Sequence, residues 1–304
     1  MDRILITGAS GFIGPPLVRA LAADGRNVRA AARRTTTFNS NVEAVSLPDL
    51  RQAPDWPRLL EGVNSVVHLA GIAHAGGGIP NEVYDRVNHA ATADLMAAAA
   101  SAGIRRFVFM SSIRAQSGSS AEHVLTESDP PRPTDAYGRS KLAAEGAIRA
   151  SGVPYTILRP VLIYGPGVKG NLATLVRLAR WPLPLPFGAL TARRSLLGLD
   201  NLSAAVRLAL DAPTMAGQTF VVADPEPLTV AEILSAIRAA SGRPPGLFKV
   251  PPGAFALVLK ALGRSDLWNR VGGSLVVDPA KLIAAGWRPS TGTRAGLAAM
   301  AAAC

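Results

Sequence analysis

The chain has 304 residues, and 48% hydrophobic against 17% charged content permits a sizeable buried core and argues against disorder. Its one cysteine, Cys304, is the final residue, which excludes a disulfide framework and a cysteine-rich metal site and fits a reducing, cytoplasmic setting. The net charge of +11 rests on 27 arginines and five lysines that never run longer than two, with 5% aromatics, so anionic small molecules are expected as partners rather than nucleic acid.

Met1 to Gly8 runs straight into a strand-like segment with no signal-peptide core, and apolar stretches such as Pro251 to Leu259 are too short for a membrane span. Short apolar runs then alternate with helical patterns. The runs are Ile4 to Ile6, Val28 to Ala32, Val42 to Leu47, Val66 to Leu69, Phe107 to Met110 and Tyr155 to Leu158. The helical patterns include Leu17 to Ala23, Tyr84 to Ala102 and Tyr137 to Ala150. This alternation predicts βαβ units and a parallel sheet covered on both faces. From about Gly165 the pattern changes, with prolines at 182, 184 and 186 and a capping box opening at Thr229. With no repeat and no low-complexity linker, residues 166–304 are expected as a smaller lobe packed on a domain of residues 1–165, with strands free to interleave.

Gly8, Gly11 and Gly14, with Phe12 and Ile13 between them, lie after the first strand and before the first helix. Glycines there let the backbone approach a pyrophosphate, and the helix N-terminus offers unpaired N–H groups to it. Pro15 and Pro16 sit in the opening turn, where a missing N–H costs least. Farther on, Ser111 and Ser112 close the fifth strand, and Tyr137 and Lys141 stand one helical turn apart. An ammonium beside a phenol favours the phenolate and brings its proton into catalytic range, and a serine hydroxyl can bond the substrate oxygen.

With its G-x-x-G-x-x-G turn, the chain resembles the extended short-chain dehydrogenases, in the NAD-dependent epimerase/dehydratase family acting on nucleotide sugars. The resemblance implies a Rossmann-type doubly wound α/β fold with a smaller C-terminal α/β substrate lobe. Its further matches are Pro48-Asp49-Leu50, His68-Leu69-Ala70-Gly71, Asn88, Leu158-Arg159-Pro160 and Gly286-Trp287-Arg288-Pro289. It assigns Ser112, Tyr137 and Lys141 to catalysis. Asp49, Leu50, Leu69, Ala70, Gly71, Asn88 and Pro160 would join the glycine turn around NAD or NADP. It places Ser111, Ser112, Asn171, Phe187, Arg194 and, by a weaker match, Arg270 at a UDP-sugar, with Arg194 gripping a phosphate. It also implies a homodimer through the helices of Asn88–Ala102 and Tyr137–Ala150.

Two departures refine that expectation. Dehydratases of this family carry an Asp-Glu pair after the active-site hydroxyl, whereas Ile113-Arg114 follows Ser112 here, which disfavours dehydration. The second strand ends in Ala32-Arg33 without the acid that would bond a ribose 2′-hydroxyl. Arg33 would suit a 2′-phosphate and tilts the expectation toward NADP, unless it stacks on adenine or faces water. The expected activity is hydride transfer at C4 of a UDP-hexose, as a 4-epimerase or a 4-ketoreductase. The stretch Ser111 to Arg114 most resembles UDP-N-acetylhexosamine 4-epimerases and 4-keto-6-deoxy reductases of polysaccharide synthesis. The alternative is a non-catalytic dinucleotide-binding regulator or assembly factor on the same fold, against which the joint retention of Ser112, Tyr137 and Lys141 argues.

Overall fold

The structure is a computed structural model that describes residues 2–34, 38, 41–73, 78–261, 263, 268 and 272–302, without the side chains of Asn171, Phe255, Val258 and Leu259. Six strands follow the apolar runs of the first half: Arg3–Thr7 (β1), Asn27–Ala32 (β2), Val42–Ser46 (β3), Ser65–His68 (β4), Arg106–Met110 (β5) and Tyr155–Pro160 (β6). A seventh, Gln218–Val222 (β7), comes from the second half. All seven pair in parallel in the order β7-β6-β5-β4-β1-β2-β3. The chain leaves β1 in one direction and resumes at β4 on its other side. That reversal opens a crevice at the carboxyl ends of the strands, where ligands bind in such sheets.

Eight helices of ten or more residues are described: Gly14–Ala23 (α1), Ala91–Ser101 (α2), Ala136–Ala150 (α3), Gly170–Ala179 (α4), Leu199–Asp211 (α5), Val230–Ala240 (α6), Pro252–Ala261 (α7) and Thr293–Ala302 (α8). Apolar residues at helical spacing decide which face each buries. Leu17, Val18 and Leu21 of α1 and Leu202 and Val206 of α5 pack on one face of the sheet with Trp287. Leu95 and Ala99 of α2 and Ala144 and Ile148 of α3 cover the other, against Phe107 and Phe109. A third cluster joins Leu172 and Val176 of α4, Ile233 and Leu234 of α6 and Leu297 and Met300 of α8. The capping box is formed, with Thr229 N donating to Glu232 Oε2 at 2.8 Å and Glu232 N donating to Thr229 Oγ1 at 3.1 Å.

The second half therefore does two jobs: it builds the third cluster, and it lends β7 and α5 to the seven-stranded sheet. Local patterning did not show that β7 pairs with β6, because a seventh buried strand reads like any other short apolar run.

Phe107 is completely buried beneath α2 and α3. Phe107→Ala should lower unfolding stability by about 3–5 kcal/mol, read from urea or thermal denaturation; a loss below about 1 kcal/mol would show that this face tolerates the void.

Candidate functional site

The first helix begins without a side-chain cap: Ile13 offers no acceptor, and Pro15 and Pro16 occupy its opening positions. The backbone N–H groups around this end remain available to an anion. Gly8, at φ +72°, lies so close to the β4 crossover that a Cβ would stand 2.7 Å from Ala70 N. A Cβ on Gly14 would stand 2.4 Å from the carbonyl oxygen of Ala9. Only glycine fits either position, and the turn is thereby pressed against the ends of β1 and β4. Gly11 N closes it by donating to Gly8 O at 2.9 Å. These features fit a dinucleotide pyrophosphate.

Around this turn the expected adenosine-side residues are spread by exposure. Arg33 is exposed after β2. Asp49 accepts from Arg51 through its backbone N at 3.0 Å and its guanidinium at 2.6 Å, and Arg51 with Arg33 holds its carboxyl down at about 2. Leu50 and Ala70 are buried, and Pro160 is buried at the end of β6.

Thr7, His68 and Thr92 form a buried chain that sequence reading passed over. Thr92 Oγ1 donates to the carbonyl of Asn88 at 2.7 Å, so its oxygen must accept from His68 Nε2 at 3.1 Å. That leaves His68 Nδ1 as the acceptor for the Thr7 hydroxyl at 2.7 Å, and Thr7 Oγ1 in turn accepts from Ala70 N at 3.2 Å. The ring is neutral, because burial pushes its pKa down to about 3, with Lys141 adding to the effect. Asn88 lies in a π-helical turn, Asp85–Ala90, and ties it to Ile72 and to Ser140. Such turns recur at functional sites.

The structure brings Ser112 and Tyr137 together. Ser112 caps the short 3₁₀ turn Ile113–Ala115, accepting from Arg114 N at 3.2 Å, and it hydrogen-bonds Tyr137. Asp135 caps α3, accepting from Gly138 N at 2.7 Å, and pairs with the Arg114 guanidinium. Burial raises the Tyr137 pKa, while the Ser112 hydrogen bond and the Arg114 charge oppose the rise.

Arg114 thus lowers the Tyr137 pKa, an effect that helical spacing alone gave to Lys141. Lys141 Nζ donates to Met110 O at 2.9 Å and lies 4.6 Å from the centre of the Phe109 ring. Burial lowers its pKa to about 8, against an upward pull from Glu145.

Ser111 departs from its expected place at the substrate. Its hydroxyl turns into the core and donates to Glu145 Oε1 at 2.6 Å. Glu145 is completely buried, and Arg159 binds both its oxygens, at 2.9 and 2.6 Å. Arg149 adds a second charged partner at 2.9 Å, and Arg159 also reaches Gln116 at 3.0 Å. Burial raises the carboxyl, but Arg159 and Ser111 prevail and hold it below its ordinary range. Sequence reading missed this hub, although Glu145 stands one turn beyond Lys141.

On the substrate side, Arg194 gives its terminal nitrogens to Ser119 O at 3.1 Å and Gly273 O at 2.8 Å. Its Nε is buried without a hydrogen-bond partner, and burial with the nearby Arg114 charge lowers its pKa. Two cations in proximity suit an anionic ligand. Phe187 is half-buried against the third cluster, and Asn171 lies in the first turn of α4. Arg270 lies outside the described residues.

A Rossmann-type sheet, a glycine turn at an uncapped helix and a Ser112–Tyr137 contact at the carboxyl edge define an extended short-chain dehydrogenase fold. The family profile of the NAD dependent epimerase/dehydratase family matches residues 4–223, and the chain belongs to that family. It is 33% identical to a UDP-glucose 4-epimerase of Vibrio cholerae over 94% of this chain and 90% of that protein. It is 30% identical to a ceramide reductase of Caulobacter vibrioides over 95% of this chain and 86% of that protein. Among solved structures, MoeE5 in complex with UDP-glucuronic acid and NAD superposes with a TM-score of 0.78 at 28% identity, covering 99% of this chain and 98% of that one.

The neutral His68 carries a pH signature. Its pKa in the fold is about 3 against an ordinary 6.5, so the unfolded chain takes up a proton first as the solution is acidified. Stability that is whole above pH 6.5 should fall toward pH 3 by a few kcal/mol from this group. His68→Gln should flatten that part of the stability curve, and an unchanged slope would mean that the ring protonates without cost.

Proposed function

We propose that the protein is an NAD(P)-dependent enzyme that transfers hydride at C4 of a UDP-hexose, as a 4-epimerase or a 4-ketoreductase. The observation that carries this reading is the Ser112–Tyr137 hydrogen bond at the carboxyl edge of the sheet, beside the glycine turn. The UDP-glucose 4-epimerase relative, aligned over nearly both full lengths, supports the sugar nucleotide and the position of reaction.

With the dinucleotide bound at the α1 end, its nicotinamide would supply hydride exchange with the sugar. Gly8, Gly11 and Gly14 hold the pyrophosphate, with Asn88 and the Leu69–Gly71 segment beside the ribose. Lys141 contributes its ammonium there. The Ser112 hydroxyl accepts from Arg114 N and bonds Tyr137, and it would turn its proton to the C4 oxygen when the sugar is bound. Tyr137 passes a proton to and from that oxygen, and Arg114 eases formation of its phenolate. Arg194 binds the diphosphate, which would relieve the crowding of two half-buried cations. Asn171 and Phe187 complete the nucleotide pocket, and the helices around Asn88–Ala102 and Tyr137–Ala150 form a homodimer interface.

The deciding experiment incubates the protein with UDP-glucose, UDP-N-acetylglucosamine and a UDP-4-keto-6-deoxy sugar, with and without NAD(P)H, and reads products by NMR. Epimers without added cofactor indicate an epimerase; consumption of NAD(P)H indicates a reductase; cofactor binding without turnover on any of them would support the regulator reading.

Two variants sharpen the reading. Tyr137→Phe should lower kcat about 10²–10⁴-fold with cofactor affinity nearly unchanged, and a near-native kcat would remove Tyr137 from the chemistry. Arg33→Ala should raise the NADP dissociation constant roughly 10–150-fold, the worth of a charged hydrogen bond, and barely alter NAD. Equal losses for both cofactors would reduce Arg33 to an adenine-stacking role.

A further inference from the structure

The positive charge of this chain is unevenly placed. Residues 146–199 hold seven Arg or Lys and no Asp or Glu, and residues 233–265 hold five and none. Elsewhere 20 basic residues face 21 acidic ones, so these two segments account for the whole net charge. Among the described residues the same segments carry five of the six large exposed apolar side chains: Leu162 (48%), Trp181 (56%), Leu183 (61%), Phe248 (48%) and Leu257 (68%).

Backbone pairing makes the two segments neighbours. Leu185 N donates to Gly246 O at 2.8 Å, Phe248 N to Leu185 O at 3.0 Å and Gly188 N to Phe248 O at 3.0 Å. Beneath them Arg238, 3% exposed, acts as a mount. Its guanidinium donates to Trp181 O at 3.1 Å and to Pro244 O at 2.9 Å, and Arg243 donates to Arg180 O at 2.6 Å. Held by these bonds, the proline-flanked Trp181–Leu183 loop presents its apolar side chains to solvent. Helix α7 follows Phe248 directly, and Ala254, Leu257 and Ala261 at spacings of three and four make one exposed face, with Lys260 among them. Arg177, Arg180, Lys249 and Lys260 are all exposed, each within a turn or a residue of one of the apolar side chains.

We propose that this face is a docking surface for an anionic lipid bilayer, with Trp181, Leu183, Phe248 and Leu257 entering the headgroup region and Arg177, Arg180, Lys249 and Lys260 meeting lipid phosphates. Indole and large aliphatic side chains ringed by Arg and Lys are what an interfacial site requires. A protein partner would have to bring its own acidic groups to this rim, whereas an anionic bilayer supplies phosphates across the whole face. The absence of a carboxylate across either segment removes the repulsion that an anionic surface would otherwise meet. The surface lies on the lobe that forms the third apolar cluster. The proposal does not rest on the catalytic reading.

Sedimentation of the full chain with vesicles tests it. Wild type should pellet with vesicles of equal phosphatidylglycerol and phosphatidylcholine, stay in solution with phosphatidylcholine alone, and be released at roughly 1 M salt, where the Debye length is about 3 Å. Trp181 emission should shift to the blue on binding, and Trp181→Phe should abolish the shift. Leu183→Glu with Leu257→Glu should weaken binding roughly ten-fold or more. Lys249→Gln should weaken it about five-fold. All of these positions are exposed, so the variants should keep the native circular dichroism. Failure of the wild type to pellet with anionic vesicles overturns the proposal, as does pelleting that both leucine substitutions leave intact. A lower oligomeric mass for the Leu183→Glu, Leu257→Glu protein by light scattering without vesicles would also overturn it, assigning the face to a second copy of the chain.

Discussion

A carboxylate sealed from water cannot stay charged without partners, and Glu145 has four donors from three elements. Ser111 follows β5, Arg159 belongs to β6, and Arg149 lies on the same helix as Glu145 itself. Because Arg149 also reaches Thr219 on β7, this one group pins α3 to the end of three neighbouring strands. Breaking a buried pair by removing one member typically costs about 3–5 kcal/mol, since the other charge is left behind. The placement of Tyr137 and Lys141, two turns and one turn before Glu145, follows from that anchor.

A second ionic contact sets the other end of α3. Asp135 caps the helix and pairs with Arg114, whose own backbone N–H holds Ser112. Serine and tyrosine are thus fixed relative to one another through a shared neighbour rather than by packing alone. The two charges act on the phenol with opposite signs, Asp135 raising its pKa and Arg114 lowering it. The residue that departs from the dehydratase pattern is therefore built into the electrostatics of the site.

The strands β1, β2 and β4 to β6 were legible because parallel strands buried on both faces read as apolar runs, whereas β3 is a half-exposed edge strand read from its valines alone. The glycine turn was legible because backbone crowding against Ala9 and Ala70 excludes every other residue. Tyr137 and Ser112 followed from helical spacing and strand ends. What stayed hidden depends on pairings across long stretches of chain. Ser111 looks like a second site hydroxyl until Glu145 is placed behind it, and His68 looks like part of a ribose-side segment until Thr7 and Thr92 close on both ring nitrogens. The π-helical turn at Asn88 leaves no mark in apolar periodicity, which over six residues cannot tell it from an α-helix.

The position of β7 has a consequence for how the chain is made. Strand β6 is hydrogen-bonded to β5 on one side, and its other side is closed only by residues 218–222. During synthesis at roughly 5–20 residues per second, several seconds separate the emergence of Pro160 from that of Val222. Throughout that interval the nascent sheet ends in a buried-type strand, Tyr155–Pro160, with a full row of unpaired backbone groups, which is the geometry that templates intermolecular pairing. The nucleotide-binding half thus leaves the ribosome as an adhesive intermediate.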